Sequence, residues 1–571
     1  MIRPLGTRER WLILAVGLAW ALSVALWFTP GYVRPDGIGY FEYLPSSWND
    51  HDLVFYDQWA QARLVVEGRL LFKEVAPNGY LANHWPSGSA VFWYPAYVTG
   101  DFLRGTPPFR GFPPNGFSLP YEVPVVAFSA VAGLLTLFLV YRLSRKVATP
   151  GAAFLATIGI WFGSPLLWYS LVNGITSHVV AAMSAAIFVA LALSLRERLD
   201  SWSVFALGLS LGFVFAVRPQ NATLALVPFF LIPRDRWRAL LGESAPGIAG
   251  TLIGALPQLV VSSVIYGNPL GFLVTGGAGE AWSSFQRIWI WEPIFSWYHG
   301  LVTWTPFLAL GIIGLIFLFR IDRGLAAAAL WAFAAQWAIN ATLDRAFWGA
   351  FAFGQRRFDG VIVFFGIGAA VLLDRLPRWA AVVLTVAASG WTMMLLLASR
   401  SVLDLNLYYP PGDLLRAIGT AVTHTSRWLA PLSALPPIAR LTVGLLIVGG
   451  LAVAAAIAAV FLVLSRLGGR RAVTIAAALW LLAAGGWFAW VGWAGAPHLR
   501  YFDRLITFNR SLGALSGGLD SNISVLESEL QYLEKSGRTG LAERTKKDLA
   551  RLVALRQREL RRRGMTSPAV E

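Results

Sequence analysis

Long apolar runs separated by short polar loops recur along most of the chain. Most runs are close to the ~20 residues that a helix needs to cross a bilayer, so the pattern predicts about thirteen transmembrane helices. The run at Ala222 is the shortest. The fold class that follows is an all-α polytopic membrane protein. The runs begin near Trp11, Pro124, Gly151, His178, Trp202, Ala222, Gly247, Leu301, Gly324, Val361, Trp379, Leu441 and Ala472.

Composition agrees with a membrane protein and limits the chemistry. The chain of 571 residues is 56% hydrophobic and 14% charged, and its mean hydropathy is +0.58. It contains no cysteine, which excludes disulfides, thiolate metal sites and thiol catalysis. The formal charge of +16 would suit nucleic acid, but the arginines lie mainly in short loops between apolar runs. We therefore predict no nucleic-acid partner.

The basic loops all fall at one set of helix ends, which the positive-inside rule assigns to the cytoplasm. The N-terminus is then cytoplasmic, and an odd number of spans places the C-terminus outside. The first run has the length of a spanning helix and no small-residue cleavage site, so we interpret it as a retained helix. The basic residues are Arg3, Arg8, Arg10, Arg142, Arg145, Lys146, Arg196, Arg198, Arg234, Arg236, Arg238, Arg320, Arg323, Arg375, Arg378, Arg466, Arg470 and Arg471.

The loops at the opposite ends carry nearly all the unusual polar residues. The first outer loop covers residues 30–122, and helical spacing from Phe55 to Val66 predicts an interfacial helix in it. The stretch 84–98 is interrupted by prolines and predicts an interfacial or re-entrant segment. The polar residues are Asp36, His51, His84, His178, Glu280, Arg287, Glu292, His299, Asp344, Arg356 and Arg357.

The sequence predicts three consecutive segments. Residues 1–375 form a transmembrane catalytic module, 376–496 add transmembrane helices with an outer loop at 399–440, and 497–571 form a soluble tail. Helical spacing on both sides of a glycine-containing turn predicts a helical hairpin in the tail. We interpret its basic end as solvated, with anionic membrane lipids as the alternative partner.

Several motifs, in this order, resemble the GT-C superfamily of integral-membrane glycosyltransferases. They are "RPDGIGYFEYLPS" from Arg34, "RPQNA" from Arg218, "LPQLVVSSVIYGNPL" from Leu256, "YHGLVTWTPF" from Tyr298 and "WGAFAFGQRRFDG" from Trp348. The resemblance implies a GT-C-like fold and a polyprenyl-phosphate sugar donor. It also implies transfer to a glycan, lipid or protein acceptor on the outer face of the cytoplasmic membrane.

The candidate catalytic residue is Asp36 in the first outer loop. Attack by a sugar hydroxyl profits from a carboxylate that accepts its proton. Pro35 restrains the chain there, while Gly37 and Gly39 allow close approach of a ligand or backbone. The alternative is an Asx-type turn that ends the first helix.

The departing lipid phosphate requires positive charge or hydrogen-bond donors. Arg356 and Arg357 are candidates because a guanidinium offers a planar fork to phosphate oxygens, and His299 could add a donor. Adjacent side chains usually diverge, so one of the two arginines is expected to reach the phosphate. The alternative is that both extend to lipid headgroups.

Candidates for contacting the acceptor or the sugar surround these positions. Each also fits a packed, solvated or interfacial residue. No histidine pair at helical spacing predicts a zinc site, and a divalent cation is left open. The candidates are Glu42, His51, Asp52, His84, Trp85 and His178.

Other functions fit part of the pattern. A transporter or flippase of lipid-linked saccharides would also use interfacial arginines, but it would place ionisable groups near the midplane. Another lipid-phosphate-dependent transferase or ligase stays an alternative within the enzyme class. A scaffold that recruits a partner through the tail would leave the polar residues of the outer loops unexplained.

Overall fold

The computed structural model describes residues 6–29, 35–55, 58, 76, 78, 80–107, 109–275, 288–342, 352–423 and 437–497, and scattered positions between 523 and 557. Helices are the regular elements of this part of the chain, which confirms the all-α class. The longer ones, with one short helix of the first outer loop, are α1 (Thr7–Trp27), α2 (Pro35–Phe41), α3 (Gly88–Arg104), α4 (Leu119–Ser144), α5 (Pro150–Phe162), α6 (Ser177–Ser194), α7 (Ser201–Val217), α8 (Ser244–Tyr266), α9 (Pro306–Leu318), α10 (Arg323–Thr342), α11 (Ile362–Leu373), α12 (Arg378–Ser401), α13 (Pro411–Thr423) and α14 (Pro437–Gly495).

Short helical segments connect these helices. Two are π-helical (Ser46–Asp50 and Trp168–Val172), three are 3-10 (Pro219–Leu226, Arg234–Arg236 and Arg356–Val361), and the others are Tyr43–Pro45, Val227–Leu231, Trp237–Gly242, Gly271–Thr275, Glu292–Phe295 and Leu301–Trp304. The apolar run at Ala222 therefore forms a 3-10 segment and a five-residue helix. Pro219 and Pro228 explain this outcome, because proline lacks the N–H that a continuous helix would use.

Seven of the described helices are long and apolar enough to cross a membrane, and the chain is an integral membrane protein. Helices α5, α7 and α9 are apolar but shorter. The last of the seven, within α14, contains a break at Gly469, whose φ of 63° and ψ of −155° are not helical. This break separates the two final runs predicted from the sequence. The predicted count of about thirteen transmembrane helices is not confirmed.

The chain divides into two compact units that are discontinuous in sequence. The first contains Met1–Tyr32, Pro86–Pro257 and Gly279–Ala484. The second contains Val33–Trp85, Gln258–Ala278 and Gly485–Glu571. The three consecutive segments predicted from the sequence stay a prediction.

Close approach of α9 and α11 fixes the start of α11 in the first unit. A Cβ on Gly314 would lie 1.8 Å from the carbonyl oxygen of Gly368, and one on Gly368 would lie 2.1 Å from that of Gly311. Only glycine fits at such contacts, and small residues are the usual way for membrane helices to pack closely. The Arg356–Val361 turn, which precedes α11, is thereby held to a rigid helix pair.

Ion pairs join the basic helix ends within the first unit. Arg145, after α4, lies 2.6 Å from Glu9 of α1, and Arg196, after α6, pairs with Asp322 before α10. His178 lies at the opposite end of α6. An 18-residue helix is about 27 Å long, close to the thickness of the hydrocarbon core. The two ends of α6, near Arg196 and at His178, are therefore separated by about the thickness of the hydrocarbon core.

Some sequence predictions fall outside the described residues. Most of the interfacial helix predicted in the first outer loop does, as do Glu280, Arg287 and Asp344. The stretch 84–98 leads into α3, which is not among the seven candidate spans. In the tail, Lys546 lies 3.0 Å from Glu534, and the predicted turn between them is outside the described part.

Candidate functional site

Several segments of the first unit meet at a buried polar cluster. They are the start of α6, the end of α7 with the following 3-10 segment, α10, and the Arg356–Val361 turn. Arg218 ends α7 in an extended conformation (φ −151°, ψ 105°), because the residue before a proline disfavours helix. The side chain of Arg218 therefore extends away from α7 and contacts the start of α6.

His178, Asp359 and Arg218 form the centre of this cluster. His178 Nδ1 lies 2.9 Å from Asp359 Oδ2, and both side chains are at most 4% exposed. Arg218 Nη1 lies 3.1 Å from the same Nδ1 and donates to Ser177 Oγ at 3.2 Å. Arg218 Nε is 3.4 Å from Asp359 Oδ2. A carboxylate, an imidazole and a guanidinium thus share one buried contact.

Protonation within this cluster is coupled. Nδ1 of His178 can donate to Asp359 or accept from Arg218, but it cannot do both at once. Burial raises the pKa of Asp359 to about 6, although the charge of Arg218 acts in the opposite direction. At neutral pH the carboxylate is therefore mostly ionised, and it loses its charge as the pH falls through about 6.

Two glutamines connect the 3-10 segment after Arg218 to α10 and to the Arg356–Val361 turn. Gln220 Nε2 donates to Gln336 Oε1 at 2.9 Å and to the carbonyl oxygen of Arg357 at 2.8 Å. Gln336 Nε2 donates back to the carbonyl oxygen of Gln220 at 3.0 Å. Gln336 is fully buried on α10. Polar side chains inside a transmembrane helix are costly. We therefore interpret the hydrogen-bonded Gln220 and Gln336 as the residues that position the Arg356–Val361 turn.

A small pocket lies beside the cluster. Arg356 is only 9% exposed and lines the pocket, whereas Arg357 is half-buried and is not among the lining residues. Burial of Arg356 does not fit an arginine that extends to lipid headgroups. The lining residues are Pro165, Leu166, Tyr169, His178, Val179, Leu308, Gln355, Arg356, Phe358, Asp359 and Ile362.

Several buried polar atoms of the cluster lack hydrogen-bond partners in the part of the chain that the structure describes. By strict geometry they include Asp359 Oδ1, both amide atoms of Asn221, and Nδ2 of Asn340 on α10. The Asn221 side chain and the Gly360 amide nevertheless lie close enough to Asp359 to act as hydrogen-bond partners that lower the pKa of its carboxyl. Buried polar atoms are nearly always satisfied. Such a concentration of exceptions is typical of a site that receives water or a ligand.

His299 has an unusual conformation for a non-glycine residue. Its φ is 63°, it is 1% exposed, and its ring lies 4.2 Å from that of Trp304. Burial lowers the pKa of His299 to about 4, so the ring is neutral at neutral pH. Nε2 lies 2.9 Å from the carbonyl oxygen of Leu405 and must carry the proton.

This arrangement leaves Nδ1 of His299 as an acceptor, and no partner for it is found within the described residues. An ionised phosphate oxygen has no proton to give to such an atom. The hypothesis that His299 donates to the donor phosphate stays a prediction, and it requires the tautomer opposite to the one that the Leu405 contact favours. The geometry favours a role in shaping the segment around Trp304.

Asp36 belongs to the second unit and lies in the first turn of α2, half-buried. It lies beyond the end of α1 at Trp27, in a short helix of its own. The helix is held firmly: Asn83 Nδ2 donates to the carbonyl oxygen of Gly39 at 2.8 Å. A Cβ on Gly39 would lie 2.1 Å from the Trp85 ring. Glycine is needed here because Trp85 packs directly on the α2 backbone.

The other acceptor candidates of the second unit differ in their surroundings. Glu42 is fully buried. Asp52 Oδ1 accepts from Ser46 Oγ at 2.8 Å and from the Val54 amide at 3.1 Å, a pattern that stabilises the local turn. His51 is exposed, and its ring lies 5.8 Å from Trp490. His84 is half-buried, with its ring 6.1 Å from that of Trp85.

The structure brings together the predicted residues His178, Arg356 and Arg357 and adds two that sequence reasoning did not select as site residues. In the sequence, Asp359 belongs only to the motif that starts at Trp348, and Arg218 is an alternative to the arginine pair as the phosphate ligand. A polar signal was present in α10, where Gln336 and Asn340 interrupt an apolar run at i, i+4 spacing. Within the described residues no group of three His, Asp or Glu suited to a metal ion is found.

No protein-family model and no curated protein sequence matches the chain. Among solved structures, the chain is similar to ArnT from Cupriavidus metallidurans bound to undecaprenyl phosphate. That match has a TM-score of 0.46 and 16% identity and covers 89% of this chain and 80% of the other. The match to the apo state of the same protein has a TM-score of 0.39 and 16% identity, and it covers 85% of this chain and 78% of the other. A similarity at this level decides neither activity nor residues.

Proposed function

We propose that this protein is a GT-C type glycosyltransferase. It takes a sugar from a polyprenyl-phosphate donor and transfers it to an acceptor on the outer face of the membrane. Asp36 is the general base, and Arg356, with Arg357 beside it, binds the donor phosphate. The acceptor is a glycan, a lipid or a protein.

The burial of Arg356 beside a pocket is the observation that supports this function best. Arg218, Arg356 and Arg357 all act as positive charges on the His178 ring, and Asp359 is the carboxylate in contact with that ring. Guanidinium groups gathered at one place give it a positive charge that attracts an anion. A lipid phosphate supplies such an anion, and its oxygens match the guanidinium fork.

The reaction breaks the bond between the anomeric carbon and the phosphate oxygen, and the polyprenyl phosphate leaves with the electron pair. The acceptor hydroxyl forms the new bond to the anomeric carbon, and its proton passes to Asp36. The arginines stabilise the negative charge that develops on the leaving phosphate. No redox partner is required.

Transfer is tested with the purified full chain and undecaprenyl-phosphate sugars labelled in a pentose or a hexose. Undecaprenyl phosphate is chosen because the similar ArnT structure contains it. With a cell-envelope fraction as acceptor, we expect label to leave the lipid and one undecaprenyl phosphate to be released per sugar. Heat-inactivated protein is the control. Movement of intact donor across a vesicle bilayer, without phosphate release, would instead indicate a flippase.

The proposed orientation has its own test. We expect a reporter that is active only outside the cytoplasm to work when fused after Leu103 or Glu571 and to fail after Arg198. The reason is the placement of the basic loops, which the positive-inside rule assigns to the cytoplasm. Reporter activity after Arg198 would reverse the orientation and place the polar end of α6 inside the cell.

A further inference from the structure

We propose that Tyr169 and His178 are positioning residues that hold the chain on both sides of Arg356 and so fix its guanidinium at the pocket. This inference rests on the proposed function and adds to it the residues that keep the phosphate-binding arginine in place. In this role Tyr169 and His178 act through the segment 353–359, without contact of their own with the lipid.

The chain before Arg356 is held by the π-helical segment Trp168–Val172. The main-chain amide of Phe353 donates to the Tyr169 hydroxyl at 2.9 Å, and the ring of Trp168 stacks on that of Phe353 at 5.1 Å. Both Tyr169 and Phe353 are buried. A buried amide that loses its acceptor is costly. This hydrogen bond therefore fixes where the chain enters the turn that carries Arg356.

The chain turns directly after the contact with Tyr169. Gly354 has a φ of 61°, a conformation that favours glycine. The Arg356 amide donates to the carbonyl oxygen of Gly354 at 3.0 Å. The fixed amide of Phe353 and the backbone of Arg356 are thus joined by one tight turn. A displacement of Phe353 would therefore displace Arg356 as well.

The chain after Arg356 is held by His178. Nδ1 of His178 lies 2.9 Å from Oδ2 of Asp359, which follows Arg356 in the same 3-10 segment. The main chain of Arg356 is itself close enough to act as a hydrogen-bond partner of the His178 ring. The ring centroids of Tyr169 and His178 lie 4.4 Å apart. The two positioning residues therefore also support each other, and all of these contacts lie within the first unit.

Fixed placement matters because Arg356 must meet the phosphate as negative charge develops on it. Electrostatic stabilisation of that kind depends on donors that are in place before the reaction. Displacement of a reacting group by about 1 Å can cost two powers of ten in rate. Packing and hydrogen bonds from surrounding residues are what fix a functional side chain so closely. The effect of Tyr169 and His178 on lipid binding should therefore appear only while Arg356 is present.

The test is a double-mutant cycle of Tyr169→Phe and Arg356→Ala on the purified full chain, with undecaprenyl phosphate as the probe. Phenylalanine keeps the ring that packs on His178 and removes only the hydroxyl that Phe353 uses. Tyr169→Phe should weaken lipid binding by about tenfold in wild type and by less than about twofold in the Arg356→Ala background. Thermal stability in detergent should fall equally in both backgrounds.

Tyr121→Phe is the matched control. Tyr121 is fully buried on α4, and its hydroxyl donates to Asp101 of α3 at 2.7 Å. The variant therefore loses a hydrogen bond of a buried tyrosine, and it should lower thermal stability without changing lipid binding. His178→Asn and His178→Ala form a second pair, which decides the question if Tyr169→Phe does not fold. Asparagine keeps a hydrogen-bond donor for Asp359 and should retain most of the binding that alanine loses.

Three outcomes would overturn the inference. The first is the same loss of binding in both backgrounds, which would mean that Tyr169 acts on the lipid or on the fold directly. The second is unchanged binding in Tyr169→Phe, and the third is an equal loss of binding in Tyr121→Phe. Unchanged binding in Arg356→Ala would instead overturn the phosphate site of the proposed function.

Discussion

An Asp36→Asn variant is expected to turn over about two to four powers of ten more slowly than wild type, the usual worth of a positioned base. Asparagine keeps the size of the side chain but removes the basic oxygen. Donor binding and folding should change little, because α2 is held by Asn83 and by the contact of Gly39 with Trp85. The measurement is turnover, donor affinity and thermal stability in detergent.

Two matched variants decide whether the effect belongs to Asp36. Asp52→Asn should lower thermal stability more than turnover, since Asp52 Oδ1 accepts two hydrogen bonds of its own turn. Glu42→Gln replaces the carboxyl group of a fully buried acid nearby in sequence. If Asp36→Asn is active and Glu42→Gln inactive, Glu42 is the base. If all three variants stay active, the acidic loop is structural. Asp36→Glu should recover little activity because the longer side chain misplaces the carboxylate.

Much of the fold could be predicted because hydrophobic length and proline placement act locally. The apolar runs at Gly151 and His178 became α5 and α6 near their predicted starts. The short apolar run at Ala222 does not form a continuous helix, because Pro219 and Pro228 interrupt helix formation there. The tight pairing of α9 with α11 could not be predicted, because it depends on glycines from distant segments meeting at one contact.

Residues of the candidate site could be predicted from sequence only where the chemistry of one side chain was enough to indicate a role. Arg356 and Arg357 are candidates from sequence because a guanidinium offers a planar fork to phosphate oxygens, and the structure distinguishes Arg356 from Arg357 by its burial. Asp359 was not selected because its partner His178 is 181 residues away, and no spacing rule connects the two. Its sequence, Asp359 followed by Gly360, reads as an ordinary turn. Only folding brings the carboxylate to the histidine.

The same difference in burial makes Arg356 and Arg357 a matched pair for testing the phosphate site. Arg356→Ala is expected to weaken donor binding and lower kcat/KM by about ten- to a hundredfold, the range for losing a hydrogen bond to a charged group. Arg356→Lys should recover only part of this, since an ammonium cannot offer the planar fork. Arg357→Ala should cost less, because its contact with Gln220 is made by the main chain.

Steady-state transfer with labelled donor, together with binding of undecaprenyl phosphate, measures these effects. A larger loss in Arg357→Ala than in Arg356→Ala would exchange the two roles. Unchanged kinetics in both single variants and in the double variant would move the phosphate site to another cation. Arg218 would then be the next choice, because its guanidinium already contacts the buried carboxylate and imidazole of the cluster. Arg218→Lys would keep the charge while removing the planar fork, so a loss of donor binding in that variant would identify the new site.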